Sequence, residues 1–403
     1  MALRDILDRQ ANSIEYVLHI HGIKGQVDGG KMSPRLTHFH IMLPPGVRPA
    51  QLTSLVPEIA DALGVVSCRL APTDEGVYLE VPRPDPVPVR LLPLVQRVAD
   101  VVPPFTATLG LDTDSTPLLL RLNSPDVDPV IVAGNPGAGK SSLLRGMALS
   151  LALHNSPQRM GLLLLSGAAD GSAFRGLDGL PHLACPVARG PVNSLVSLRW
   201  ALRTLTRRLH LSERDELSFD DDDTREDERL FEYSGHAEEP VLVVMVDGAD
   251  ELCSTGNRRA DAEALDALSR LLMEGRRHNI HMVVSAQQPE RLGDVRWSAR
   301  ISGWVSSQEA ARLATGIKGS GAHGLLGAGD FLITLNAELI RFQAAGASEA
   351  EVRKAVDYLV SHTQTPSQAY GEEDLMPATR HRAGKPERHV EEPIQLRRNW
   401  SGE

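Results

Sequence analysis

The chain has 403 residues, a formal net charge of −10 and 42% hydrophobic residues, which is room for two to three domains at about 150 residues each and argues against a generally basic nucleic-acid coat. The longest apolar stretches are broken before the roughly 18 residues of a membrane helix, and Met1-Ala2-Leu3-Arg4-Asp5 opens no signal-peptide core, so a soluble, cytoplasmic protein without direct membrane insertion is expected. Cys68, Cys185 and Cys253 are far apart and odd in number; they suggest neither a disulfide framework nor a zinc site, only small buried hydrophobes.

In chain order, residues 4–20 have the spacing of a helix, and Gly22 to Pro34, rich in glycine and charge, reads as a loop, giving an N-terminal unit over 1–34. Leu36 to Leu43 alternates as a strand, and Pro49 to Leu63 is helical in spacing with Leu52, Leu55, Val56 and Ile59 on one face. Val65 to Leu70 and Val77 to Val81 follow as strands. These make a small α+β domain over 35–88, closed by the stiff run Pro82 to Pro88.

From 104 to 361 strands alternate with helices, the mark of an α/β domain with a mostly parallel sheet. The strand candidates are 118–122, 130–133, 161–165, 241–246, 281–285, 301–305 and 331–334; Leu195 to Leu209 and Asp261 to Arg277 are helices between them. Residues 213–239, with Asp220 to Asp223, read as an acidic solvated insertion, and without them the rest of the chain is close to neutral. Ser348 with Glu351 spells a capping box for a last helix ending near Val360. Residues 362–403 are polar and aperiodic, as in a disordered tail.

The chemistry centres on Gly134-Asn135-Pro136-Gly137-Ala138-Gly139-Lys140-Ser141, followed by Ser142. This is a complete phosphate loop, preceded by the strand-like Val130 to Ala133 and followed by a run with helical spacing. Its N–H groups would cradle phosphates, Lys140 would neutralise the β/γ-phosphates, and Ser141 would be a Mg²⁺ ligand. The bound species expected is a nucleoside triphosphate, ATP, with Mg²⁺. A second metal-linked acid belongs at the end of a neighbouring apolar strand, and Asp247 closes Val241 to Val246 in that way.

Hydrolysis also needs a group to activate water, commonly a glutamate directly after that aspartate. Gly248 stands there. Asp250 and Glu251 are the nearest acids, either as the replacement base or as helix N-terminal acids complementing the dipole. Gln287, at the end of the strand around His281 to Ser285, is a candidate to sense the γ-phosphate or to position water by its amide. Arg276 and Arg277, just before that strand, are either cationic helix C-caps or an arginine finger offered to a neighbouring subunit.

Taken together, the ordered set resembles the motor portion of the FtsK/SpoIIIE DNA translocases, within the clade that includes HerA-type ATPases. The likeness rests on the phosphate loop, Gly179-Leu180-Pro181-His182-Leu183 with Leu198-Arg199-Trp200, the Asp247 strand, and Arg276 before Ile280-His281. It continues through Ser285-Ala286-Gln287-Gln288-Pro289, Val305-Ser306-Ser307 with Arg312, and Leu325 to Leu332. The resemblance implies a RecA-like P-loop NTPase domain after a small α domain. It further implies a homo-oligomeric ring, a hexamer by family habit, with duplex DNA in the channel and ATP between subunits. By position, Lys140 and Ser141 match the phosphate-binding pair, Asp247 the Mg²⁺-linked acid, Gln287 the sensor and Arg276 the arginine before its strand. The sequence departs from the family at Gly248, at Ser166-Gly167-Ala168 in place of Asp-Pro-Lys, and in showing neither a multi-span membrane anchor nor a winged-helix domain. An ATP-dependent DNA translocase motor is the leading expectation. The alternatives are a related ATPase acting on protein in secretion or assembly, and a ring protein that binds nucleotide with weak or no hydrolysis.

Overall fold

The N-terminal helix α1 (Leu3–Ile20) buries Leu7, Ala11, Ile14 and Leu18, a stripe at helical spacing that needs an apolar surface to cover it. A four-stranded antiparallel sheet supplies that surface: β1 (Gln26–Met32), β2 (Leu36–Met42), β3 (Arg69–Thr73) and β4 (Gly76–Pro82), in the order β1-β2-β4-β3. Helices α2 (Pro49–Thr53) and α3 (Val56–Leu63) lie between β2 and β3. Leu52 and Ile59 join Phe39, Ile41 and Leu79 in one core with the α1 stripe. The computed structural model describes residues 3–73, 76–168, 172–217 and 240–363.

Three expectations change here. The segment 22–34 is no loop, because Gln26–Met32 forms an edge strand paired with β2; its bulge and its glycines hid the alternation. The single helix over 49–63 is two, since Pro57 lacks the N–H that a continuous helix needs and instead sits in the first turn of α3. The third strand begins at Arg69 rather than Val65.

After α4 (Leu91–Val98) comes a ten-stranded sheet. Its strands are β5 (Thr106–Asp112), β6 (Pro117–Arg121), β7 (Val130–Ala133), β8 (Met160–Ser166), β9 (Ala188–Arg189), β10 (Val241–Asp247), β11 (Ile280–Ala286), β12 (Ala299–Ser302), β13 (Asp330–Leu335) and β14 (Glu338–Ala344). The order is β6-β5-β14-β13-β12-β7-β11-β10-β8-β9. From β12 to β9 the neighbours are parallel, whereas β6 to β12 pair antiparallel. Helices α5 (Lys140–His154), α6 (Gly190–Leu217), α7 (Ala249–Leu252), α8 (Arg258–Glu274), α9 (Gln308–Thr315) and α10 (Glu349–His362) complete the domain.

Alternate residues of β7 enter different cores: Val130 and Val132 pack with α5 and α10, Ile131 and Ala133 with α6 and α8. Both faces of the sheet are therefore covered, which is why its parallel strands read as unbroken apolar runs. The strands β5, β9 and β14 and the helix α4 were not foreseen. Helix α6 runs past Leu209 to Leu217, so 213–217 is helical backbone; the remainder of the acidic segment and the tail from 364 lie outside the described residues. Helix α8 ends at Glu274, and Arg276 and Arg277 lie on a 3₁₀ turn after it. The three cysteines are free and half-buried.

The two domains meet through charge. Arg341 of β14 is buried and pairs with Glu80 of β4 and, at 2.6 Å, with Asp330 of β13. Arg69 of β3 joins Glu80 at 3.2 Å and donates to the Ser320 carbonyl at 2.8 Å. Burial alone would raise the Glu80 carboxyl, but the Arg341 and Arg69 guanidinium groups hold it below its ordinary range.

Candidate nucleotide site

Strand β7 delivers the chain to the C-terminal edge of the parallel sheet between β11 and β12, and α5 begins at Lys140, five residues after Asn135. Gly139, the N-cap of α5, holds φ at 101° and would carry a Cβ only 2.8 Å from the Gly329 nitrogen. A glycine is obligatory there on both counts. The first-turn N–H groups of α5 have no helical partners and point, with the positive end of the helix dipole, at the space above the sheet edge.

Lys140 lies back over the loop, its Nζ donating to the carbonyls of Gly134 at 2.7 Å and Asn135 at 3.3 Å. Burial lowers its pKa from the ordinary lysine value, against the pull of Asp247, Asp250 and Glu251. Ser141 Oγ donates to Asp247 Oδ2 at 3.0 Å, so the hydroxyl and carboxylate expected to share Mg²⁺ do meet. Two adjacent hard oxygen donors suit an ion that completes its shell with phosphate and water. Ser285, buried near the end of β11, donates to Asp247 Oδ1 at 2.7 Å and accepts the Gly248 N–H at 3.0 Å. Its role was missed; the available signal was a hydroxyl following the apolar run Met282 to Val284 at the C-terminal end of the strand.

Gly248 adopts φ 71°, in the left-handed region, and caps α7. A Cβ there would lie 3.3 Å from Glu251 Oε2. The turn fits because Gly167 faces it: a Cβ at 167 would come within 2.4 Å of the Gly248 carbonyl oxygen. Asp250 is buried, and its Oδ2 accepts the N–H groups of Gln287 and Gln288 at 3.0 and 3.1 Å. Glu251 is exposed, with Oε1 accepting from Gln287 Nε2 at 3.3 Å. The structure thus brings Lys140, Ser141, Asp247, Glu251 and Gln287 to one edge. Arg276 is elsewhere, exposed on the turn that enters β11 from the opposite edge.

A groove of about 650 Å³ opens between the two domains, with Arg35, Trp304, His323 and Leu325 in its wall. Trp304 also accepts the Asn135 N–H on its carbonyl at 2.8 Å.

The FtsK/SpoIIIE family profile matches residues 100–291, and the FtsK alpha domain profile matches residues 2–83. The chain belongs to the FtsK/SpoIIIE family. It is thereby a member of a P-loop ATPase family, and the small sheet domain is its FtsK alpha domain. Among curated relatives, the DNA translocase FtsK of Leptospira interrogans is 26% identical over 364 residues, covering 87% of this chain and 37% of its own length. That of Bacillus cereus is 28% identical over 388 residues, covering 91% and 46%. The chain spans less than half the length of these FtsK relatives. In fold it is similar to the pCW3 conjugation coupling protein TcpA in its monomer form with ATPγS, at TM-score 0.55 and 16% identity over 87% of this chain and 99% of that one. It is also similar to the cytoplasmic domain of the type VII secretion ATPase EccC of Thermomonospora curvata, at TM-score 0.52 and 22% identity over 72% and 36%. Among the described residues no helix is long and apolar enough to cross a membrane.

Proposed function

We propose that the chain is an ATP-dependent DNA translocase motor, binding and hydrolysing ATP at the subunit interfaces of a ring to move duplex DNA. The observation that carries this reading is the assembly of Lys140, Ser141 and Asp247 at one sheet edge in an FtsK/SpoIIIE chain whose curated relatives are named DNA translocases. On binding, the Lys140 ammonium leaves the loop carbonyls for the β- and γ-phosphate oxygens, and the α5 N–H groups cradle the β-phosphate. Ser141 and Asp247 would hold a magnesium ion, with Ser285 fixing the Asp247 carboxylate through its hydrogen bond. Magnesium bound there would neutralise developing phosphate charge. The inter-domain groove beside Trp304 has the volume for the nucleoside.

The proton of the attacking water goes to Glu251. Asp247 has both oxygens engaged by Ser141 and Ser285, and Asp250 is buried and tied to backbone. The Glu251 carboxylate lies where a side chain at 248 would point. Gln287, bonded to Glu251, orients the same water through its amide. Arg276, remote from its own subunit's phosphates, is presented to the neighbour's.

The test is ATP turnover with and without linear duplex DNA, on the wild type and on Lys140→Ala. Turnover stimulated by DNA and abolished in Lys140→Ala is expected. Turnover indifferent to DNA would sink the translocase reading, and tight Mg-ATP binding without turnover would leave only a nucleotide-binding ring.

A further inference from the structure

The phosphate loop is braced from outside by a loop that the small domain holds. In a trans peptide the C=O and the next N–H point in opposite directions. The carbonyls of Gly137 and Ala138 are held by the N–H groups of Ala328 and Gly329 at 3.1 and 2.9 Å. The N–H of Gly139 is thereby turned away from residues 328–329, toward the phosphate side, while that of Ala138 closes the loop by donating to the Asn135 carbonyl at 3.2 Å.

The brace is itself strained. Gly327, Ala328 and Gly329 hold φ at 68°, 47° and 91°, and at Ala328 the Cβ crowds the backbone in that left-handed region. What clamps it is Arg35, from the turn between β1 and β2. Its Nη1 donates to the carbonyls of Gly327 and Ala328, each at 3.0 Å, and to Gln343 Oε1 at 3.4 Å. The backbone of Arg35 is fixed in turn, its carbonyl accepting the Arg83 N–H at 2.9 Å while the Pro34 carbonyl accepts that of Val87 at 2.8 Å.

We propose that Arg35 is a positioning residue for the nucleotide: through residues 327–329 it fixes the peptides that cradle the phosphates, so the small domain sets the affinity for a nucleoside triphosphate. The proposal rests on the nucleotide-binding reading above. The coupling is reciprocal, so a bound triphosphate also steadies the Arg35 clamp.

The full chain is titrated with magnesium and a fluorescent, slowly hydrolysed ATP analogue, with melting temperatures confirming that each variant is folded. Arg35→Ala is expected to weaken binding about tenfold, within the range for a lost charge-assisted hydrogen bond. KM for ATP should rise by about the same factor with turnover at saturation unchanged. Arg35→Lys, which keeps one donor, should fall between wild type and Arg35→Ala, and it decides the matter should the alanine variant not fold. Arg69→Ala cuts a different inter-domain bond, to Ser320, and should leave the affinity as it was. Arg35→Ala binding within twofold of wild type would overturn the proposal, as would an equal loss in Arg69→Ala. A wild type that binds no Mg-ATP would instead overturn the nucleotide reading on which it rests.

Discussion

At position 248 the missing glutamate has a stereochemical reason. With φ at 71°, any L side chain there is strained by roughly 1–2 kcal/mol, and Glu251 fills the space it would enter. Gly248→Glu is therefore expected to lower the melting temperature without raising turnover, while Glu251→Gln cuts ATP turnover about 100-fold or more, the usual contribution of a general base, and leaves Mg-ATP affinity intact. Turnover of Glu251→Gln within threefold of wild type would remove Glu251 from the mechanism. Lys140, Ser141 and Asp247 were legible because a loop motif and a strand end each fix a side chain locally. The left-handed turn at Gly248 was not, since its glycine is explained only by Gly167 and Glu251 lying against it. Ser285 and Arg35 were illegible for the same reason: their partners are 38 and nearly 300 residues away in the chain.

Strands that are apolar runs announced themselves, and those whose apolar pattern is broken or very short did not. The strands β7, β10 and β11 are continuous apolar runs, whereas β5 reads Thr-Ala-Thr-Leu-Gly-Leu-Asp with an irregular register, and β1 is interrupted by glycines. The 3₁₀ turn of Gly275–His278 shows how an element can present a residue away from its own site. Buried Arg208 on α6 donates to the carbonyls of His278 and Asn279 at 2.7 and 3.0 Å and to that of Pro240 at 2.8 Å, fixing the turn while Arg276 stays exposed. If Arg276 acts on the neighbour's nucleotide, mixing Arg276→Ala with Lys140→Ala subunits forms hybrid interfaces with an intact pair. Some turnover should return on mixing; two inactive variants that stay inactive together would count against action in trans.

Across the whole molecule, the interface between the two domains carries its own pH dependence. His38, buried beside Glu80 and bonded through Nε2 to Ser33 Oγ at 3.2 Å, has its pKa lowered to about 4, chiefly by burial and against the pull of Glu80. It stays neutral in the folded chain and takes up a proton on unfolding below about pH 6.5, so its contribution is complete above that pH and is lost as pH falls toward 4. Denaturant melts should show stability dropping over this window, with His38→Gln making the total drop about 3 kcal/mol smaller; identical pH curves would exonerate His38. The same buried cluster limits how these two units can be inherited. A recombination that joined this motor to a small domain lacking an acid at position 80 would leave the buried Arg341 guanidinium with Asp330 as its remaining carboxylate and Nη1 without its ion-pair partner, a loss that a buried charge-assisted contact makes costly. Shuffling of the two halves among relatives is penalised at the seam, so they are under pressure to diverge as one piece.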